Sequence, residues 1–137
     1  MKINPIGLAL VFTALVFTSG MCLSQETGAS PTQERSFDYA GRDAGDCHLN
    51  SGRLTIRSNG SGTWDATLYT RRTGNADFWH TKFYFNNSSN RASGSLPQWD
   101  SPAMRGSPSP VVTWHVDFTF DAYSYTQWIY AVPLFNC

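Results

Sequence analysis

From Cys47 to the C-terminus the chain alternates apolar and polar positions with a period of two. The segment "TWDATLYTR", residues 63–71, puts Trp64, Ala66 and Leu68 on one face and Asp65, Thr67, Tyr69 and Arg71 on the other. In "DFWHTKFYFNN", Trp79, Thr81, Phe83 and Phe85 oppose Phe78, His80, Lys82 and Tyr84. "VVTWHVDFTF" alternates most cleanly, with Val112, Trp114, Val116, Phe118 and Phe120 against Thr113, His115, Asp117 and Thr119. Leu54 and Ile56 share a face of "LNSGRLTIRS", "TQWIYAVPLF" closes the chain, and "RASGSL" is a short strand before the proline-rich stretch. Alternation of this kind predicts half-buried strands, here at about 49–58, 63–71, 78–86, 91–96, 111–120 and 127–136. No dozen residues carry helical spacing, so the fold class is all-β.

Six consecutive antiparallel strands return the chain to its starting end. Cys47, just before the first, and Cys137, just after the sixth, then fall at one end. This predicts an antiparallel meander forming a small closed or nearly closed barrel, which removes exposed strand edges. The alternative is a two-sheet β-sandwich with the cysteines joining the sheets. Trp64, Phe83, Phe85, Trp114, Phe118 and Phe120 fill a barrel of this size, which leaves ligands to its outside or its ends.

The N-terminus carries a different pattern. Lys2 followed by the apolar run from Ile6 to Leu23 reads as a signal peptide over residues 1–24, cleaved before Gln25. Residues 25–36 form a polar leader without apolar period, and a single β domain follows over 37–137, opening on a short strand at "SFDYA". Removing 24 of 137 residues leaves nine Lys and Arg against ten Asp and Glu, so nothing recruits nucleic acid or an anionic membrane. Cleavage also removes Cys22. The remaining Cys47 and Cys137 are predicted to pair in an oxidising, extracellular compartment, closing a loop of about 90 residues. Metal ligands at short spacing and cofactor motifs are absent from the sequence, so no metal or cofactor is expected.

The turn "NGSGTW", residues 59–64, is constrained by parity. A two-residue Asn59-Gly60 turn would put Trp64 on the face away from Ile56. An odd loop, or a bulge with Gly60 or Gly62 at positive φ, would pair Ile56 with Trp64 and Leu54 with Ala66, making Trp64 a core anchor. Asn59, Asn86 and Asn87 head glycosylation sequons, in loops expected at the end opposite the disulfide.

Two loops are candidates for binding. Residues 97–110 contain four prolines, together with Trp99, Asp100, Met104 and Arg105. Trp99 there either stacks on a sugar or partner, or folds back as a lid. The loop 71–77, expected at the same end, offers Arg71 and Arg72 to an anionic group. Trp99, Arg105, Arg71 and Arg72 are therefore the predicted ligand-binding residues, and no catalytic residue is assigned. His115 and Asp117 share an outer strand face, which His80 could join, as a small hydrolase would require.

The order "GDC" at 45–47, "GRLTIRSNGSGTWDAT" from Gly52, "DFWH" at 77–80 and the terminal Cys137 resembles a family of small secreted proteins described only as a domain of unknown function and frequent in bacteria such as actinomycetes. The resemblance covers about residues 45–137. It implies a signal-bearing, cysteine-paired extracellular domain and transfers no site residue. The reading is a secreted, non-enzymatic domain binding an extracellular carbohydrate or protein through the disulfide-end loops. The alternatives are a small hydrolase using outer-face His and Asp, or a secreted toxin, inhibitor or effector.

Overall fold

A computed structural model of the chain describes residues 30–137. The expected signal peptide and residues 25–29 of the expected leader lie outside the described residues. The elements are β1 (Glu34–Ala44), β2 (Cys47–Arg57), β3 (Ser61–Thr70), β4 (His80–Asn86), β5 (Ala92–Ser95), β6 (Trp99–Asp100), β7 (Val112–Thr119), a single helical turn α1 (Ser124–Gln127) and β8 (Tyr130–Asn136). All strand pairs are antiparallel.

The strands form two sheets rather than a barrel. The first sheet has the order β1-β2-β3-β7. In the second, β8 lies on one side of β4, and β5 and β6 share the other. The expected meander fails at two places. After β3 the chain leaves its sheet, and β3 takes β7 as its neighbour instead of β4. In addition, β1 is an eleven-residue strand that begins at Glu34, inside the segment expected as leader, and pairs along β2. Barrel closure would have needed the last strand on that edge of β2, which is already filled. β1 is inconspicuous in sequence because only Phe37 and Tyr39 are large and apolar, and the residue preceding them on that face is Arg35.

Alternation within each strand follows the expected faces. Trp64, Trp79, Phe83, Phe85, Leu49, Leu54, Ile56, Leu68 and Met104 are fully buried between the sheets. Rings meet across the interface, Trp64 and Phe83 at 5.0 Å and Tyr39 and Phe83 at 5.7 Å. Within the second sheet's side, Trp79 meets Phe135 at 5.2 Å and Phe85 stacks on Trp128 at 4.0 Å. Burying side chains of this size is the main favourable term in the fold. Cys47 and Cys137 form the disulfide, with Cα atoms 6.0 Å apart. It ties β2 of one sheet to the end of β8 in the other.

Side chains, not ladders, close the sandwich at its seams. Between β1 and β8, the Tyr39 hydroxyl donates to the Ala131 carbonyl at 3.2 Å, and Arg35 donates to the carbonyls of Tyr125 and Trp128 while lying over the Tyr125 ring. Burial pushes the Tyr39 phenol well above its ordinary pKa. At the other seam, Trp99 packs on Phe118 at 4.9 Å.

The 58–60 turn has three residues, with Gly60 at φ +82°. A Cβ at Gly60 would lie 2.6 Å from the Phe120 carbonyl oxygen, so both conformation and space require glycine. The parity is as expected, and Ile56, Leu54 and Trp64 share the buried face. The pairing is shifted by two: Leu54 faces Trp64 and Gly52 faces Ala66. The reason is Gly52, where a Cβ would come within 2.3 Å of the Trp64 indole. The ring fills the space that glycine leaves.

Candidate functional site

At the disulfide end, the loops 71–79 and 101–111 are joined. Asp77 and Met104 exchange backbone hydrogen bonds at 3.0 and 2.9 Å, and Thr70 and Ser109 are likewise linked. The Asp77 carboxylate accepts from the Thr70 and Thr73 hydroxyls at 2.5 and 3.1 Å. It lies near Cys47 and Cys137, whose sulfurs are committed to the disulfide and not to a metal.

The expected neighbourhood of the two loops is therefore present, but its side chains are largely engaged. Arg71 donates to Asp43 at 2.7 Å, and the same carboxylate oxygen meets His48 Nδ1 at 2.6 Å. The hydrogen bond from His48, with the Arg71 charge beside it, holds Asp43 below the usual carboxylate range. Arg72 lies 3.8 Å from Asp46, both exposed. Trp99 is half-buried, its ring turned onto Phe118 and Phe83 in the manner of a lid. Arg105 is exposed and has no ion pair among the described residues.

The outer face of the first sheet is a polar lattice. Asp38, Arg53, Asp65 and His115 are successive register partners across β1, β2, β3 and β7. Arg53 holds Asp38 in a two-point ion pair at 2.6 and 3.2 Å. Ser51 and Thr67 exchange a hydroxyl bond at 2.8 Å in the next row. His115 uses both ring nitrogens, Nδ1 to Asp65 at 2.5 Å and Nε2 to Asp117 at 3.2 Å. These carboxylates, Asp65 first, raise the His115 pKa. His115 is thus held between two carboxylates as part of the polar lattice of this face. His80 lies on the other sheet and does not join this face.

The outer face of the second sheet is different. Tyr84 on β4 faces Val132 on β8, Lys82 faces Leu134, Asn86 faces Tyr130, and His80 faces Asn136. Tyr84, Tyr130, Val132 and Leu134 are 42%, 53%, 47% and 55% exposed. At the disulfide end of this face, His80 Nδ1 and Asp100 lie 2.6 Å apart, and Gln98 donates to the same Asp100 oxygen at 3.2 Å. The His80 bond, then the Gln98 bond, lower the Asp100 pKa. Sequence reasoning missed this surface. Its signal is "TQWIYAVPLF", where both alternating registers are apolar, so the strand has large apolar side chains to spare after its inner face is buried.

The sequons sit at the end away from the disulfide, where β2 and β4 finish. Asn59 is exposed, with its Oδ1 accepting from Ser61, whereas Asn86 and Asn87 are half-buried and bonded within their own turn.

No curated protein and no solved structure matches this chain. A family model matches residues 53–136, from the middle of β2 to the end of β8, a stretch that takes in the outer strands of the second sheet and stops short of both paired cysteines. The chain belongs to that family, described as the family of unknown function DUF6294.

Proposed function

We propose that this protein is a secreted, non-enzymatic domain that binds an extracellular carbohydrate on the outer face of β4 and β8. The observation that carries the reading is the contiguous exposure of Tyr84, Tyr130, Val132 and Leu134 on two adjacent strands. A strip of this kind with polar groups at its rim is what a binding surface requires. Its two aromatic members are tyrosines, which offer a flat ring for a sugar face and a hydroxyl for its edge. Asn136, at the disulfide end of the strip, has its Oδ1 accepting from the Cys137 N–H and its amide N–H groups left to donate to sugar hydroxyls. The surface borders the disulfide end but moves off the loop tips, because Trp99 is engaged in the seam and Arg71 and Arg72 face carboxylates. Secretion is supported by the N-terminal apolar run and by the cysteine pair.

A glycan array probed with wild type, Tyr84→Ala, Tyr130→Ala and Trp99→Ala tests this. Binding should fall at least about tenfold, or about 1.4 kcal/mol, in each tyrosine variant. Glycan binding unchanged by both tyrosine substitutions would sink the surface. Absence of any glycan ligand for the wild type would overturn the carbohydrate reading in favour of a protein partner.

A further inference from the structure

The ladder beside β4 is interrupted. β5 pairs with residues 84–86 and β6 with His80 and Thr81, so Lys82 has no strand partner on that side. A recess of about 300 Å³ lies over this part of the outer face, lined by His80 and Lys82 of β4, by Gln98 on the interrupted side and by Leu134 and Asn136 of β8 on the other. That volume is at the small end of ligand sites and suits a single sugar unit better than a long chain.

The electrostatics of the recess are lopsided. Arg53, Arg57, Arg71 and Arg72 all lie beside carboxylates, and Arg35 is committed to backbone carbonyls. Lys82 has no ion pair among the described residues. Its ammonium sits 5.1 Å from the Tyr84 ring centroid, which steadies the side chain without neutralising it. Asp100, the acid beside the recess, is occupied by His80 and Gln98. Arg42, Arg91 and Arg105 also lack an ion pair among the described residues, but they do not line this recess. The lining therefore combines an uncompensated cation, two side-chain amides, an imidazole whose Nε2 has no partner among the described residues, and the apolar surface of Leu134.

We propose that this recess is the specificity subsite of the carbohydrate-binding face and takes an acidic sugar, a uronic acid residue of an extracellular polysaccharide. Lys82 meets the sugar carboxylate. Gln98 and Asn136 bond the ring hydroxyls, and Leu134 with the neighbouring Tyr84 covers the apolar ring face. The inference rests on the carbohydrate reading above and narrows it to an anionic ligand.

Affinity electrophoresis of the full-length protein through gels containing polygalacturonate, alginate or a neutral β-glucan tests it. An acidic polysaccharide should retard the wild type and the neutral glucan should not. Retardation should drop about tenfold or more in Lys82→Gln and several-fold in Asn136→Ala, with Lys82→Arg retaining most of it. Thermal unfolding of each variant separates lost binding from lost folding. Tyr84-dependent retardation by the neutral glucan, unchanged in Lys82→Gln, would overturn the acidic subsite and leave the carbohydrate reading standing. Retardation by none of the three, together with no ligand on the glycan array, would overturn both.

Discussion

The two sheets present the same kind of inner face and opposite outer faces. On the first sheet, outward positions carry Asp38, Arg53, Asp65, His115, Ser51 and Thr67, and these satisfy one another in rows across the strands. On the second, outward positions carry Tyr84, Tyr130, Val132 and Leu134, which no described residue buries, and Lys82, which has no counter-ion among the described residues. A face whose polar groups are already paired gains little from a ligand, since each new bond replaces an existing one. A face with unburied apolar area and an unpaired cation gains from both. The difference separates a face whose polar groups satisfy one another from the face on which binding is proposed.

Changes to the shared interior should damage both faces at once, and they should be the largest effects. Reducing the Cys47–Cys137 disulfide releases a loop of about 90 residues and should cost about 4–5 kcal/mol on the chain-entropy model. Denaturant unfolding with and without reductant reads this directly, and equal midpoints would mean that the bridge contributes nothing. Trp64→Ala should cost about 3–5 kcal/mol, because the indole contacts both sheets and leaves a cavity between them. Gly52→Ala, a far smaller change, should still cost about 1–3 kcal/mol through overpacking against the same ring. A Gly52→Ala protein as stable as wild type would show that the ring shifts freely.

Smaller effects should distinguish the seam and the faces. Arg35→Met removes a charged donor from two carbonyls and should cost about 1.5–3 kcal/mol, with hydrogen exchange rising first around residues 125–131. The least effect belongs to the first face. Because Asp65 and Asp117 raise the folded-state pKa of His115, its contribution is complete below the unfolded value near 6.5 and is lost as pH rises through the folded value. The difference in melting temperature between wild type and His115→Gln should therefore be greatest at acid pH and shrink on the alkaline side. A constant difference across that range would mean that the Asp–His–Asp contacts do not persist in solution. Carbohydrate binding should be indifferent to His115→Gln at every pH, which tests the contrast between the faces most directly.

Much of the fold is legible in the chain. Strand faces, the burial of Trp64 and the odd turn with Gly60 at positive φ follow from period-two alternation and parity, which are local rules. The cysteines do meet, but by joining two sheets and not through the consecutive meander from which their meeting was expected. Sheet membership does not follow from local rules. Whether β3 pairs with β4 or with β7 depends on which apolar faces cover each other across the sandwich, an energy that no single segment carries. β1 illustrates the point, since two aromatics and an arginine become a strand only because the edge of β2 and the carbonyls around α1 are there to receive them. The candidate site divides the same way. Sequence reasoning picks out Trp99, Arg105, Arg71 and Arg72 by residue type, and tertiary packing turns Trp99 inward and sets Arg71 and Arg72 beside carboxylates. The apolar excess of β8 was present in "TQWIYAVPLF" all along. That it faces solvent follows only from β8 lying in a sheet whose outer side has no further layer among the described residues. Composition and alternation determined what each strand could bury, and the global balance of buried area decided what was left exposed.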